Sequence, residues 1–311
     1  MYDTVYFKIN QRDVGGVDFL AEIPLYLERV GQHYFDGVPV ISGMIDNLRV
    51  TASQHQVKVK DGSLCKFYFG DNYQTMNRHD VQLAIEELSD RLHLPMWNAN
   101  ITRLDIAQNI IMKYPVEVYF NHLGLLSRAQ RLQQPSGLYY NFRGGQYCFY
   151  DKNREQKVHN EPIPPLYQNR NVLRVELRYL QRLPQRLNRL EVKGATLFDE
   201  MFINGLIHQW RDGYRAIQKI NDVSINFEIM KGKKELNRIA IAYYVEQQGG
   251  ELAFYAQIKE GQKRGELSDR QAYDLREAVK SACSLRDGVT TKNEAIQELN
   301  TKIDQAARMY R

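Results

Sequence analysis

A tight turn between two aromatic runs constrains this chain more than any other feature. In the stretch from Tyr139 to Glu155, YYNFRGGQYCFYDKNRE, Arg143-Gly144-Gly145 separates the two runs, and the second leads directly into Asp151, Lys152, Arg154 and Glu155. That is the pattern of a β-hairpin. Strand alternation sets Cys148, Tyr150 and Lys152 on one side and Tyr147, Phe149 and Asp151 on the other. The Tyr150 hydroxyl and the Lys152 ammonium are therefore expected to project together.

Two other stretches alternate in the same way. Between Ile101 and Met112, Leu104, Ile106 and Ile110 share one parity, while Arg103, Asp105, Ala107 and Asn109 share the other. Between Val172 and Leu180, Leu173, Val175 and Leu177 oppose Arg174, Glu176 and Arg178. Three charges on one face of a strand call for a reason. Laid side by side in one antiparallel sheet with the apolar parities under helices, the three strands gather Arg103, Asp105, Asn109, Tyr150, Lys152, Arg174, Glu176 and Arg178 on the opposite face. Asp105 and Glu176 offer hard oxygen ligands suited to Mg²⁺ or Mn²⁺ at a phosphodiester. Lys152 and an arginine would offset charge in the transition state and lower the pKa of Tyr150, which would attack the phosphate and become linked to the DNA. The same residues also read as a strand tyrosine, one of 20 in the chain, and as salt-bridge partners of Arg103 and Arg178. Spacing alone does not choose between the two. The sequence contains no His-x-His pair.

Around these strands the chain alternates less clearly. Thr4 to Ile9 and Leu48 to Lys60 read as strands, with Asp61-Gly62 turning into a further strand over Ser63 to Gly70. Arg78 to His93 carries a helical apolar stripe and ends before Pro95. Pro115 opens a short helix through Leu126, Arg128 to Pro135 reads as a basic linker, and Lys157 to Asn171, with three prolines, as an exposed loop. From Gln181 onward the period is helical, with breaks at Gly194, Gly205, Gly249-Gly250 and Gly288. The expected fold class is α+β: an antiparallel sheet with helices on one face, followed by a mainly helical C-terminal region. The polar stretch from Ile220 to Ser224 suggests two domains, 1–220 and 221–311.

The length of 311 residues suits one large domain or two, and the apolar fraction of 43% with 25% charged residues is that of a globular protein. No apolar run approaches the roughly 20 residues of a membrane span, and no targeting signal is visible at the N-terminus, which carries Asp3. The expected compartment is the cytoplasm, with no membrane partner. Cys65, Cys148 and Cys283 are odd in number and widely spaced, which argues for free thiols over a disulfide framework or a cysteine-rich zinc site. Net charge is +5, but thirteen Lys/Arg against five Asp/Glu between Arg128 and Lys193 give that segment +8 and leave the rest at −3. The concentration points to a phosphate-binding surface, with Arg103, Arg143, Arg154, Arg174 and Arg178 as the expected DNA contacts.

Three motifs, in order, resemble the rolling-circle replication initiators of the filamentous-phage gene II/X type and, more distantly, plasmid Rep proteins. Thr102-Arg103-Leu104-Asp105-Ile106-Ala107 is similar to the family's Arg-x-Asp-x-Ala strand, Phe149 to Glu155 to its Tyr-x-Lys-x-x-Glu segment, and Leu173 to Arg178 to its Arg-x-Glu-x-Arg strand. The likeness covers roughly Leu48 to Leu190. It implies a metal-dependent nicking and joining endonuclease that cuts one origin strand, stays on the 5′ end through a tyrosine, and leaves a 3′ hydroxyl. By position it implies Tyr150 as nucleophile with Lys152 beside it, and Asp105 and Glu176 near the metal. Asn109 stands where related strands can carry a second acid. The implied partners are origin DNA, both supercoiled duplex and single-stranded, with a host helicase and DNA polymerase, and a homodimer is compatible with these features. The competing readings are a non-catalytic DNA-binding protein and a relaxase or transposase with the same tyrosine chemistry.

Overall fold

The computed structural model describes residues 1–220, 232–284 and 293–309. Ten strands form one sheet: β1 (Tyr2–Asn10), β2 (Glu28–Phe35), β3 (Val38–Ile45), β4 (Leu48–Ser53), β5 (Gln56–Lys60), β6 (Asn100–Met112), β7 (Gln130–Gln134), β8 (Gly137–Phe142), β9 (Gly145–Asp151) and β10 (Asn171–Tyr179). Their spatial order is β2-β3-β4-β5-β1-β6-β10-β9-β8-β7, and every ladder is antiparallel. The helices are α1 (Phe19–Glu22), α2 (Leu64–Phe69), α3 (Arg78–Leu92), α4 (Val116–Asn121), α5 (Lys152–Val158), α6 (Leu183–Arg186), α7 (Glu200–Arg215), α8 (Lys233–Gln247), α9 (Glu251–Lys263), α10 (Asp269–Cys283) and α11 (Glu294–Arg308). The chain is thus α+β, a sheet followed by a helical region. No helix among the described residues is long and apolar enough to cross a membrane.

The central hairpin forms as its sequence requires. Phe142 pairs with Gly145 across the two-residue loop, where Gly144 takes φ +75°, a conformation glycine adopts without steric cost. Gly145 is needed for space, since a Cβ there would stand 2.5 Å from the Phe142 ring and 2.7 Å from the Arg178 carbonyl oxygen. Tyr147 and Phe149 are buried in the main core, where the Tyr147 hydroxyl donates to the Trp210 carbonyl at 2.7 Å. The helix expected after Arg78 is α3, opened by a reciprocal Asn77–Asp80 cap and closed by His93 in the left-handed region.

Elsewhere local chemistry decides differently from the expected pattern. The strand expected over Ser63 to Gly70 is α2, because the Ser63 hydroxyl accepts from the Lys66 N–H and Gly70 closes the helix at φ +82°. Leu48 to Lys60 is two strands paired across Gln54-His55, with Ser53 opposite Gln56. The stretch before it, for which the sequence pattern names no strand, holds the β2–β3 hairpin. Its turn, Asp36-Gly37, has φ +48° and +76°, the geometry that Asp-Gly favours. The expected linker around Arg128 contains β7, which is the sheet's other edge.

Helices α3, α4, α7 and α11 contribute buried residues to the sheet's main core. The shorter α5 lies over the opposite face beside Asn72 and Tyr73: Lys152 Nζ sits 5.5 Å from the centre of the Tyr73 ring, whose hydroxyl donates to Asn153 at 2.7 Å. In the C-terminal part, Val245, Val279 and Cys283 form a small separate core among α8, α9 and α10. Helix α11 instead buries Ile296, Leu299 and Ile303 in the main core, and Tyr214 donates to Asn300 at 2.6 Å. Apart from Ile220, the expected boundary at 220–224 lies outside the described residues, as does the break at Gly288. Cys65, Cys148 and Cys283 are buried free thiols.

Candidate active site

Directly opposed residues on neighbouring strands share a sheet face, so the ladder registers assemble the site. Arg178 faces Asp105, Glu176 faces Ala107 and Arg174 faces Asn109 across β10–β6. On the other side of β10, Arg174 faces Tyr150 and Glu176 faces Cys148. One face therefore carries Arg103, Asp105, Asn109, Tyr150, Arg174, Glu176 and Arg178, while Leu173, Val175 and Leu177 are buried in the main core.

The side chains on this face are locked to one another. Arg103 grips Asp105, with Nε 3.1 Å from each carboxylate oxygen and a second nitrogen 2.6 Å from Oδ2. Arg178 holds Glu176 through two bonds of 3.0 and 3.1 Å. The Tyr150 hydroxyl donates to Glu176 Oε2 at 3.0 Å. Burial opposes ionisation of Glu176, but Arg178 and Arg174 outweigh it and hold its pKa below the usual value. Asp105, fully enclosed, is pushed the other way, by burial first and by the charge of Glu176 second, with Arg103 offsetting only part. The two carboxylates are thus differentiated: Glu176 is the readily ionised one, and Asp105 resists ionisation unless further positive charge arrives.

Several expected roles change. Strand β9 ends at Asp151, whose side chain caps α5 by accepting from the Arg154 N–H. Lys152 therefore does not share the alternation of Tyr150: it opens a helix, is wholly buried, and its Nζ bonds Glu155 at 2.6 Å. The pKa of Tyr150 is raised, not lowered, by burial and then by the Glu176 charge, so its resting form is the phenol. Arg174 is 2% exposed and spans Asp3 (2.7 Å), Asn109 (3.0 Å) and the Asn72 carbonyl (3.1 Å). It is enclosed within the protein and is not a DNA contact. Arg143 is exposed at the hairpin tip, in the turn beyond Gly145, which lies about 17 Å along the strand from Tyr150 at ~3.3 Å per residue. Arg154 is exposed at the first turn of α5, and Arg103 and Arg178 each keep a quarter of the side chain accessible. Asn109 donates to the carbonyls of Asn72 and Tyr73 while accepting from Arg174, which an aspartate could not do.

Arg103, Asp105, Tyr150, Glu176 and Arg178 line a cleft of about 400 Å³ together with residues the sequence pattern missed, notably Asp3, Tyr6, Asp61 and His159. A β-bulge explains the first two. Tyr2 pairs with Ile106 but Val5 with Leu104, a register shift that lets Asp3 and Tyr6, of opposite parity, reach the same cleft. Tyr6 donates to Asp61 at 2.8 Å and packs its ring 5.1 Å from the Arg103 guanidinium. Burial opposes ionisation of Asp3, but Arg174, helped by Ser63, outweighs it and lowers its pKa, while Asp3 Oδ1 is buried without a well-formed hydrogen bond.

Two carboxylates in the cleft, Asp105 and Glu176, are the residues that could hold a hard divalent cation. No three His, Cys, Asp or Glu side chains among the described residues converge on one point, but Mg²⁺ needs only one or two carboxylates and keeps several waters. Asp105 and Glu176 meet that need, and the unpartnered Asp3 oxygen adds negative charge in the same cleft. Each carboxylate is at present neutralised by a guanidinium, so a cation would replace part of that pairing.

The family profile for the N-terminal part of the phage gene II replication-associated protein matches residues 1–201 of the chain. No curated protein matches the chain.

Proposed function

The chain belongs to the family of phage gene II replication-associated proteins, the filamentous-phage type of replication initiator, and from that premise we propose that it nicks and rejoins one strand of its origin through a covalent link to Tyr150. The observation that carries this reading is the Tyr150 hydroxyl, 3.0 Å from an ionised Glu176 in a cleft lined by Arg103 and Arg178. A phenol with a raised pKa is a poor nucleophile unless a base takes its proton as it attacks. Two arginines make Glu176 a weak base that does not retain the proton, so Glu176, which already accepts the hydroxyl's hydrogen bond, orients the attack and relays the proton onward. The tyrosine oxygen bonds to phosphorus and the bond from phosphorus to the 3′ oxygen breaks. The 3′ oxygen takes up the proton released by the tyrosine, relayed through Glu176 and water, and leaves as a hydroxyl available to a host polymerase; the reverse transfer reseals the strand. Arg103 and Arg178 offset the charge on the non-bridging oxygens. Mg²⁺ or Mn²⁺, held by Asp105 and Glu176, would supply further charge stabilisation at those oxygens. Lys152, behind the cleft, acts on the charge balance of Asp3 and Arg174 without touching the reacting atoms.

A purely DNA-binding role is the weaker reading, because buried carboxylates at the floor of a phosphate-binding cleft repel DNA unless a cation intervenes. The sequence has no Walker A loop, so unwinding is assigned to a partner helicase. The test is incubation with supercoiled origin plasmid and Mg²⁺, followed by peptide mapping of the protein–DNA adduct. A nick with the adduct at Tyr150 is expected. An adduct on another tyrosine overturns the assignment of the nucleophile, and a nick without adduct overturns the covalent chemistry.

A further inference from the structure

On β4, β5 and β1 the sheet is covered on one side only. Val50, Ala52, Val57, Val59, Phe7 and Ile9 are 0–1% exposed on the core side. The ladder places the other parity in cross-strand rows on the opposite side: Ser53–Gln56–Asn10, then Thr51–Lys58–Lys8, then Arg49–Lys60. All of these are exposed or half-exposed. The last row adjoins Tyr6, which pairs with Arg103 at the rim of the Tyr150 cleft. At ~4.8 Å between strands and ~6.8 Å between alternate residues, the rows span roughly 10 by 14 Å.

Four cations occupy this platform. Arg49, Lys8 and Lys58 make no ion pair with the described residues, and Lys60 has only a 3.9 Å contact with Asp61. Cations held this close and left unneutralised suit a polyanion. The rest of the surface is hydroxyl and amide side chains, the types that bind DNA phosphates and sugars alongside lysine and arginine. Single-stranded DNA is held chiefly by stacking on aromatic side chains, and the three rows carry none. Tyr6, at their border, is already covered by Arg103.

We propose that this open half of the sheet, centred on Lys8, Lys58 and Arg49, is a docking platform for the backbone of double-stranded DNA, feeding one strand of the duplex past Tyr6 and Arg103 into the cleft. The proposal rests on the DNA-nicking reading only for the destination of that strand. It places duplex binding outside the +8 segment between Arg128 and Lys193, on residues that segment does not contain.

The test compares the wild-type chain with the triple variant Lys8→Gln, Lys58→Gln, Arg49→Gln, using a mixed-sequence linear duplex and one of its strands alone as probes. These side chains make no ion pair with the described residues, so the variant should keep its fold, which thermal melting checks; the single charge reversal Lys58→Glu is the second variant. The slope of log K against log salt on duplex should shrink by about 2 to 3, at ~0.9 for each phosphate no longer neutralised, while single-strand affinity changes little. An unchanged duplex slope overturns the platform. An equal loss on both probes overturns the choice of duplex as its occupant. Neither measurement requires cleavage, so a missing Tyr150 adduct would refute the nicking reading and leave this result standing.

Discussion

Tyr147 and Tyr150 sit three residues apart on one strand, and the matched variants Tyr147→Phe and Tyr150→Phe separate chemistry from packing. Each deletes one hydroxyl and keeps the ring. Tyr147 loses a buried bond to the Trp210 carbonyl, worth about 1 kcal/mol net for a neutral hydrogen bond. Tyr150 loses its bond to Glu176. A bond to a charged group contributes more in isolation, about 1.5–3 kcal/mol. Here Glu176 keeps both bonds from Arg178, so the net cost lies at the low end of that range, about 1.5 kcal/mol. At ~2.1 cal/mol/K of unfolding entropy per residue over 311 residues, each should lower Tm by about 1.5–2.5 °C. Activity must then divide sharply. Below both melting temperatures, with supercoiled origin plasmid and a divalent metal, Tyr147→Phe should nick and form adduct at near the wild-type rate, and Tyr150→Phe should do neither. Persistent adduct in Tyr150→Phe, or loss of nicking in a folded Tyr147→Phe, would refute the assignment.

Three further outcomes follow from the same geometry. Asp105→Asn and Glu176→Gln should each greatly reduce nicking while much of the DNA binding survives, and chelator should do the same to the wild type; full nicking in any of these removes the residue or the metal from the reaction. Arg174→Leu should destabilise the fold by about 3–5 kcal/mol in chemical denaturation, because it leaves buried Asp3 without its cation, whereas a loss under about 1 kcal/mol, as for an exposed ion pair, would show that Arg174 is accessible after all. The pKa of Glu176 is lowered from 4.5 on folding, so its contribution to stability is complete above pH 4.5 and is lost as pH falls through the folded value. Melting curves of Glu176→Gln should therefore show a shallower acid-side decline than wild type, and an identical decline would contradict the lowered pKa.

The sequence by itself determined the three strands that carry the site, because a strand covered by helices on one face shows its period of two directly. The opposed parities of Arg103 and Leu104, Tyr150 and Phe149, and Glu176 and Val175 are set by the pleat and need no tertiary information. It also determined the central hairpin, whose turn places Gly144 at positive φ. The expected strand over Ser63 to Gly70 failed because Ser63 and Gly70, the two residues that cap a helix, outrank an aromatic run. The edge hairpin at Asp36-Gly37 was legible in its turn residues but not in its exposed strand, which lacks a buried face to impose alternation. Only the tertiary structure decided how the charges on the site face differ. Arg174 and Arg178 are equivalent in the sequence, yet Asn72, Tyr73 and Asp3 enclose the first and leave the second at the cleft. Tyr150 and Lys152 share a parity, yet the strand stops between them because Asp151 caps a helix. Asp3 and Tyr6 have opposite parities, yet a bulge brings both to the cleft. Alternation is a property of one strand and is written in its residues, whereas burial, register and the environment of a charge depend on segments far away in the chain and exist only once these have packed together.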